Sequence, residues 1–206
     1  MPSLNRLSPR ERLNFLVTNR LPRRWLTLAV GRYSKIDSPL LARLSIRVWQ
    51  LFADDLRLDE AQQKRFRSLH DCFIRELKRG ARPVTEEPGI VASPCDAVIG
   101  EFGNVHDYEV LQAKGFPYRL PDLLGSTAAA APYRNARFVT LRLKSSMYHH
   151  FHAPCSGTVA AVNYISGDTW NVNPVALKVV EKLYCRNERV VIPLARPDGE
   201  AITLVA

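Results

Sequence analysis

Val190-Val191-Ile192-Pro193-Leu194, then Arg196-Pro197-Asp198-Gly199, then Ala201-Ile202-Thr203-Leu204-Val205 is the stretch whose reading decides the fold. Two runs rich in β-branched residues flank a Pro-Asp-Gly turn, in which Pro presets φ and Gly supplies the left-handed position. That pattern predicts an antiparallel hairpin. The same texture extends upstream. Val139, Leu141 and Leu143 alternate with Phe138, Thr140 and Arg142, the period of a strand. Gly157 to Ile165 reads as another strand, closed by Ser166-Gly167-Asp168. From about residue 88 onward, Gly and Pro punctuate short strands at regular intervals, which predicts a mostly antiparallel sandwich or barrel-like core. The last strand runs to Ala206, so the expected core is incomplete at its C-terminal end.

The first part of the chain has a different texture. Residues 1–53 read as short helices interrupted at Pro22 and Pro39. The first carries Leu13, Phe15, Leu16 and Val17, the second Trp25, Leu26, Leu28 and Val30, and the third Leu41, Leu44, Val48 and Leu51 on one stripe. Arginines flank each stripe. Such helices suit a bilayer interface, although amphipathic helices also pack on their own protein. Phe66, Leu69, Phe73 and Leu77 repeat at helical spacing and predict a packing helix over 57–79, stopped at Gly80. The expected fold class is therefore α+β. A basic helical region spans residues 1–85, and a β-rich core, present in part, spans 86–206.

Composition narrows the function. The 206 residues are 46% hydrophobic and 24% charged, as in a folded globular chain. The net charge of +9 is concentrated: residues 1–50 hold ten Lys/Arg against Glu11 and Asp37, leaving 19 basic and 18 acidic residues elsewhere. A nucleic-acid binder with a basic face over the whole protein is a poor fit, and an anionic surface met by the N-terminal region is a better one. The start Met1-Pro2-Ser3-Leu4-Asn5-Arg6 lacks a signal-like apolar stretch, and no run approaches the roughly 18 apolar residues of a spanning helix. Cys72, Cys95, Cys155 and Cys185 are widely spaced without a C-x-x-C pair, which points to a reducing, cytoplasmic setting.

Two segments carry candidate chemistry. Ser93-Pro94-Cys95-Asp96-Ala97-Val98-Ile99-Gly100 sets an aspartate between a Pro turn and an apolar strand. Tyr148-His149-His150-Phe151-His152-Ala153-Pro154-Cys155-Ser156-Gly157 holds three of the five histidines. Imidazole titrates near neutrality, so this cluster is a candidate for proton transfer. A metal site is the rival reading; in an extended chain His150 and His152 share a face while His149 points away, and no Glu or Cys stands at a supporting spacing. Ordinary structural histidines are the third reading. A nucleophilic site needs an acid, a base and a hydroxyl converging in space. Ser126, in Leu124-Gly125-Ser126-Thr127, reads as a loop residue, and Cys155 reads as a small residue in a turn.

In order and separation these segments resemble the phosphatidylserine decarboxylase family. The resemblance rests on Ser93 to Gly100, Leu111-Gln112-Ala113-Lys114-Gly115, Tyr148 to Pro154, Gly157, Gly167-Asp168, Val172-Asn173-Pro174 and Asn187-Glu188-Arg189. It covers residues 88–206, and the N-terminal region is similar in character alone.

The resemblance implies a proenzyme in which a serine attacks the preceding peptide carbonyl and the resulting ester eliminates to leave a pyruvoyl cofactor. Asp96 and His152 are then the acid and base of self-cleavage, and His149 acts near the decarboxylating substrate. The pyruvoyl carbonyl would form a Schiff base with the amine of phosphatidylserine and accept the electrons released with carbon dioxide. The implied partners are an anionic phospholipid membrane, its phosphatidylserine, and a smaller pyruvoyl-bearing subunit from the same precursor. A homodimer is compatible with this, and no nucleic acid or metal is expected. The implied location is peripheral, on the cytoplasmic face of the inner membrane. The family's serine lies in a Leu-Gly-Ser-type motif beyond the region matched by Ala201 to Ala206, so this chain alone is expected neither to self-cleave nor to decarboxylate. A pyruvoyl decarboxylase of a soluble amino acid and an inactive membrane-docking relative remain the alternatives.

Overall fold

A computed structural model describes residues 7–19, 22–85, 87, 89–112 and 116–206. The start at Met1–Arg6 and the Ala113-Lys114-Gly115 part of one motif lie outside the described residues. In chain order the elements are helices α1 (Pro9–Asn19), α2 (Arg23–Ser34), α3 (Pro39–Phe52) and α4 (Leu69–Phe73), then strands β1 (Val98–Asn104), β2 (Glu109–Leu111) and β3 (Pro117–Arg119). Helices α5 (Leu120–Leu124) and α6 (Thr127–Ala130) lead to β4 (Arg137–Arg142), β5 (Thr158–Val159) and β6 (Asn163–Ile165). Helices α7 (Pro174–Val179) and α8 (Leu183–Arg186) precede β7 (Arg189–Ala195) and β8 (Ala201–Val205). This is an α+β fold whose sheets are antiparallel wherever their register is defined. The described strands form two pairs, β1–β4 and β2–β3, and one four-stranded sheet, with no closed barrel among them.

The chain forms two compact units that interleave along the sequence: residues 1–26, 99–140 and 156–206 in one, residues 27–98 and 141–155 in the other. The change of texture near residue 86 is a change of secondary structure, whereas these units are defined by contact.

In the first unit the predicted hairpin is β7–β8, paired from Val191 with Val205 to Ala195 with Ala201. The run from Gly157 to Ile165, expected as one strand, is two. β5 and β6 pair with successive parts of β7, and between them Ala160 N–H donates to the Pro193 carbonyl at 2.9 Å. Pro193 has no N–H to return, which interrupts the ladder at that point. Val105, Val110, Tyr118, Leu120, Leu123, Leu124, Ala130 and Val191 form one buried cluster. Phe15 of α1 packs with Ala176, Leu177, Val180 and Leu183 in another.

Several motif residues serve this framework. Buried Gln112 donates to the carbonyls of Leu177 and Val180 and accepts from Leu183 N–H, satisfying its amide inside an apolar cluster. Buried Arg189 donates to the carbonyls of Leu123, Asp122, Cys185 and Asn187. Gly167 lies against the chain at Asn187, where a Cβ would stand 2.4 Å from that carbonyl carbon. The close approach lets Asp168 N–H reach the Arg186 carbonyl and the Asp168 carbonyl accept from Glu188 N–H, at 2.8 and 2.9 Å.

In the second unit Ser38 caps α3 with Pro39 in its first turn. Ala42 and Ile46 form its buried face, and Ile46 packs with Leu56 and Cys72. The expected helix over 57–79 is a misreading. The segment holds a single 3₁₀ turn at Leu58–Glu60 and the five-residue α4, capped by Ser68. The segment's ends pair instead, through an Ala61–Leu77 bridge and bonds from Gln62 N–H to Glu76 O and from Lys78 N–H to Glu60 O. Phe66 and Leu69 still reach the apolar cluster, so a folded-back chain meets the same burial demand as a continuous helix.

Candidate active site

The parts of both chemistry-bearing segments that carry the candidate groups, residues 93–98 and 148–155, lie in the second unit, side by side. Ala92 N–H donates to the Pro154 carbonyl at 2.8 Å, and His152 N–H donates to the Pro94 carbonyl at 2.7 Å. Ser93 Oγ donates to the Cys95 carbonyl at 2.8 Å, shaping the turn that presents Asp96.

Asp96 is held by Arg82. The guanidinium Nε donates to Oδ1 at 2.7 Å and Nη2 to Oδ2 at 2.6 Å, a two-pronged grip. These bonds, with weaker help from the Arg57 and Arg75 charges, hold the Asp96 carboxyl below the usual carboxylate range despite partial burial. Arg82 also donates to the Ala81 carbonyl at 2.7 Å. Its Nη1 stands 2.9 Å from Glu60 Oε2, an ion-pair distance without a hydrogen bond's alignment.

The three histidines divide as an extended chain requires. His150 and His152 both stack on Tyr148, with centroids 5.0 and 5.7 Å away. His149 turns to Phe73, 4.0 Å between centroids. His150 Nε2 pairs with the Ile74 carbonyl at 2.9 Å. His149 Nδ1 lies 2.8 Å from the Met147 carbonyl, which can only accept, so the proton of the neutral ring sits on Nδ1 and Nε2 keeps its lone pair. Burial, and then the Arg75 charge, push the His149 pKa below its ordinary value. The His152 ring is exposed, and no hydrogen bond to it is found among the described residues. His152 is thus tied through its backbone to Pro94, two residues before Asp96, while the Asp96 carboxylate itself is engaged by Arg82.

Sequence patterns missed the arginines. Arg82 reads as a linker residue before Pro83, and nothing in its spacing points to Asp96. Arg75 is almost fully buried; its guanidinium donates to the carbonyls of Cys72, Leu56 and Ser146 at 3.1, 2.8 and 3.2 Å. It thereby fixes the chain just before His149. A cavity of about 340 Å³ opens between Asp96, Arg75, Arg82, Ser146 and Tyr148. No three His, Cys, Asp or Glu side chains gather for a metal ion among the described residues.

Comparison with known proteins follows the same residues. The model of the family described as phosphatidylserine decarboxylase matches residues 69–206. The phosphatidylserine decarboxylase proenzyme of Vibrio parahaemolyticus is 38% identical over 175 residues, 83% of this chain and 61% of that protein. The proenzyme of Yersinia enterocolitica is 37% identical over the same length and covered to 59%. That of Aliivibrio fischeri is 35% identical over 174 residues and covered to 60%. The chain therefore spans about three-fifths of the length of these curated relatives.

Proposed function

This chain belongs to the phosphatidylserine decarboxylase family, and from that premise we propose that it is the part of a lipid decarboxylase proenzyme that supplies the acid and base groups. The observation that supports the reading is the pairing of the two segments: His152 N–H on the Pro94 carbonyl brings the backbone of the candidate base to within two residues of the candidate acid across more than fifty residues of chain.

In self-cleavage His152 takes the proton of the attacking serine hydroxyl as its oxygen adds to the preceding carbonyl carbon. It returns that proton to the departing amide nitrogen, so a peptide bond is exchanged for an ester. Asp96, kept ionised by Arg82, favours the imidazolium formed in between.

A pyruvoyl group supplies an electron sink for the carbon that loses carbon dioxide. His149 fits a site built around such a group, because its neutral ring offers an Nε2 without a hydrogen bond among the described residues while Nδ1 is tied to Met147. Nε2 accepts a proton from the substrate ammonium and later returns it to the carbon. Arg75 and Phe73 hold that ring and its loop in place.

A lipid substrate is supported by the helices. α2 buries no residue, and α3 exposes Leu40, Leu44, Val48, Leu51 and Phe52 beside Arg43 and Arg47. No described helix is long and apolar enough to cross a membrane, so these faces would lie in the headgroup region of an anionic leaflet, the cytoplasmic one. On its inner face α3 stacks Trp49 on Phe73 at 6.1 Å, and Phe73 touches His149. The interfacial helix therefore stands two ring contacts from the proposed proton-transfer group.

The natural gene product, analysed by mass spectrometry, should comprise two chains, the smaller blocked at its N-terminus by a pyruvoyl group. It should also release carbon dioxide from phosphatidylserine vesicles. A single intact chain, or release from soluble amino acids alone, overturns the reading.

A further inference from the structure

We propose that Arg82 is a positioning residue for self-cleavage, holding the Asp96 carboxylate ionised and in one orientation so that it can steer the His152 imidazole. The inference rests on the role proposed above for Asp96, and it adds a residue outside both chemistry-bearing segments.

The geometry is specific to arginine. Nε and Nη2 meet the two carboxylate oxygens in parallel, which fixes the plane of the carboxylate as well as its position. The guanidinium is itself braced: Nη1 donates to the Ala81 carbonyl and faces Glu60, whose other oxygen lies 2.5 Å from Arg57. Pro83 restricts the Arg82 backbone to extended conformations. The clamp therefore exists before any hydroxyl arrives. A carboxylate has about four lone-pair directions, so two remain for an imidazole N–H after Arg82 has taken its share.

The charges around Asp96 act in one direction. Arg82 is the nearest cation, and Arg57 and Arg75 add to it. Glu60 lies on the far side of Arg82; burial and then Asp96 push the Cys95 thiol up, and burial, Glu76 and then Asp96 push the Tyr148 hydroxyl up. Removing Arg82 withdraws the largest cause of the low carboxyl pKa. The carboxyl would then protonate at higher pH, and a protonated acid no longer favours the imidazolium.

The test follows self-cleavage of the complete gene product from about pH 3 to about pH 8, so that both the carboxyl and the imidazole titrate within the window, with circular dichroism to verify folding at each pH. Arg82→Gln should slow cleavage by roughly tenfold or more, the scale of lost hydrogen bonds to a charged group, and shift the acid limb of the rate profile to higher pH. Arg82→Lys keeps the charge without the fork. It should leave the acid limb near its wild-type place while cleaving at an intermediate rate. A folded Arg82→Gln protein that cleaves at the wild-type rate with an unmoved acid limb overturns the proposal. Should that variant not fold, wild-type kinetics in Arg82→Lys overturn the need for the fork. Asp96→Asn separates the two levels: if it cleaves normally, the role of Asp96 fails, and if it is blocked while Arg82→Gln is normal, only Arg82 is dismissed.

Discussion

Replacing Leu51 and Phe52 together by serine should weaken membrane binding without weakening the fold. In the structure these two side chains are 78% and 86% exposed at the end of α3, so neither contributes appreciably to the core. Fully burying a leucine or phenylalanine side chain stabilises by about 1.5–3 kcal/mol. An interfacial helix sinks such groups part of the way, and at half burial the pair contributes about 2 kcal/mol. The expected loss is roughly thirtyfold in the partition constant. Flotation of the full chain with vesicles containing phosphatidylserine, over a series of lipid concentrations, reads that constant directly. Arg43 and Arg47 remain and contribute about 1 kcal/mol each near an anionic surface. Residual binding of the double variant should therefore fall steeply with added salt. Thermal unfolding should be unchanged, because no buried contact is lost. Binding as tight as wild type would refute the membrane-facing assignment of α3. A fall of several degrees in Tm would show that this face is packed against protein.

In the complete gene product, Asp96→Asn and His152→Ala should each leave an uncleaved precursor on a denaturing gel. His149→Ala should cleave at least in part yet lose most decarboxylation, measured as carbon dioxide from labelled lipid. Gly167→Ala should lower stability by about 1–3 kcal/mol, read as a lower Tm, because its methyl group would meet the Asn187 backbone at 2.4 Å. The depressed pKa of His149 makes stability fall on acidification: below the ordinary imidazole pKa near 6.5 the unfolded ring binds a proton that the folded ring refuses. Tm should therefore decline as pH drops through 6.5 toward the folded value, and His149→Phe should flatten that part of the profile. An unchanged slope in that variant would show that another group governs it.

Local chemistry made much of the fold legible. The β7–β8 hairpin follows from two alternating runs around Pro197-Asp198-Gly199, all within 17 residues. The helices α1 to α3 follow from Pro22, Ser38 and Pro39, which act on the backbone within one turn. The segment 57–79 was not legible. Phe66, Leu69 and Phe73 carry the spacing of a helix face, but apolar residues on a folded-back chain can satisfy the same cluster, and periodicity cannot tell the two apart. At the site, the histidine alternation was readable because a strand-like chain imposes period two. The grip of Arg82 on Asp96 was not, since an arginine before a proline has the same local signature whether or not a carboxylate waits 14 residues on.

By itself the sequence determined the residue types able to move a proton, Asp96, His149 and His152, together with the turns and caps that present them. Tertiary structure alone decided what meets them across the chain. It gave both oxygens of Asp96 to Arg82, set the His149 ring against Phe73, and brought the His150 ring to the Ile74 carbonyl. The reason is one of range: propensity and periodicity act over a few residues, whereas hydrogen bonds and charges act between whatever side chains folding brings within a few ångströms.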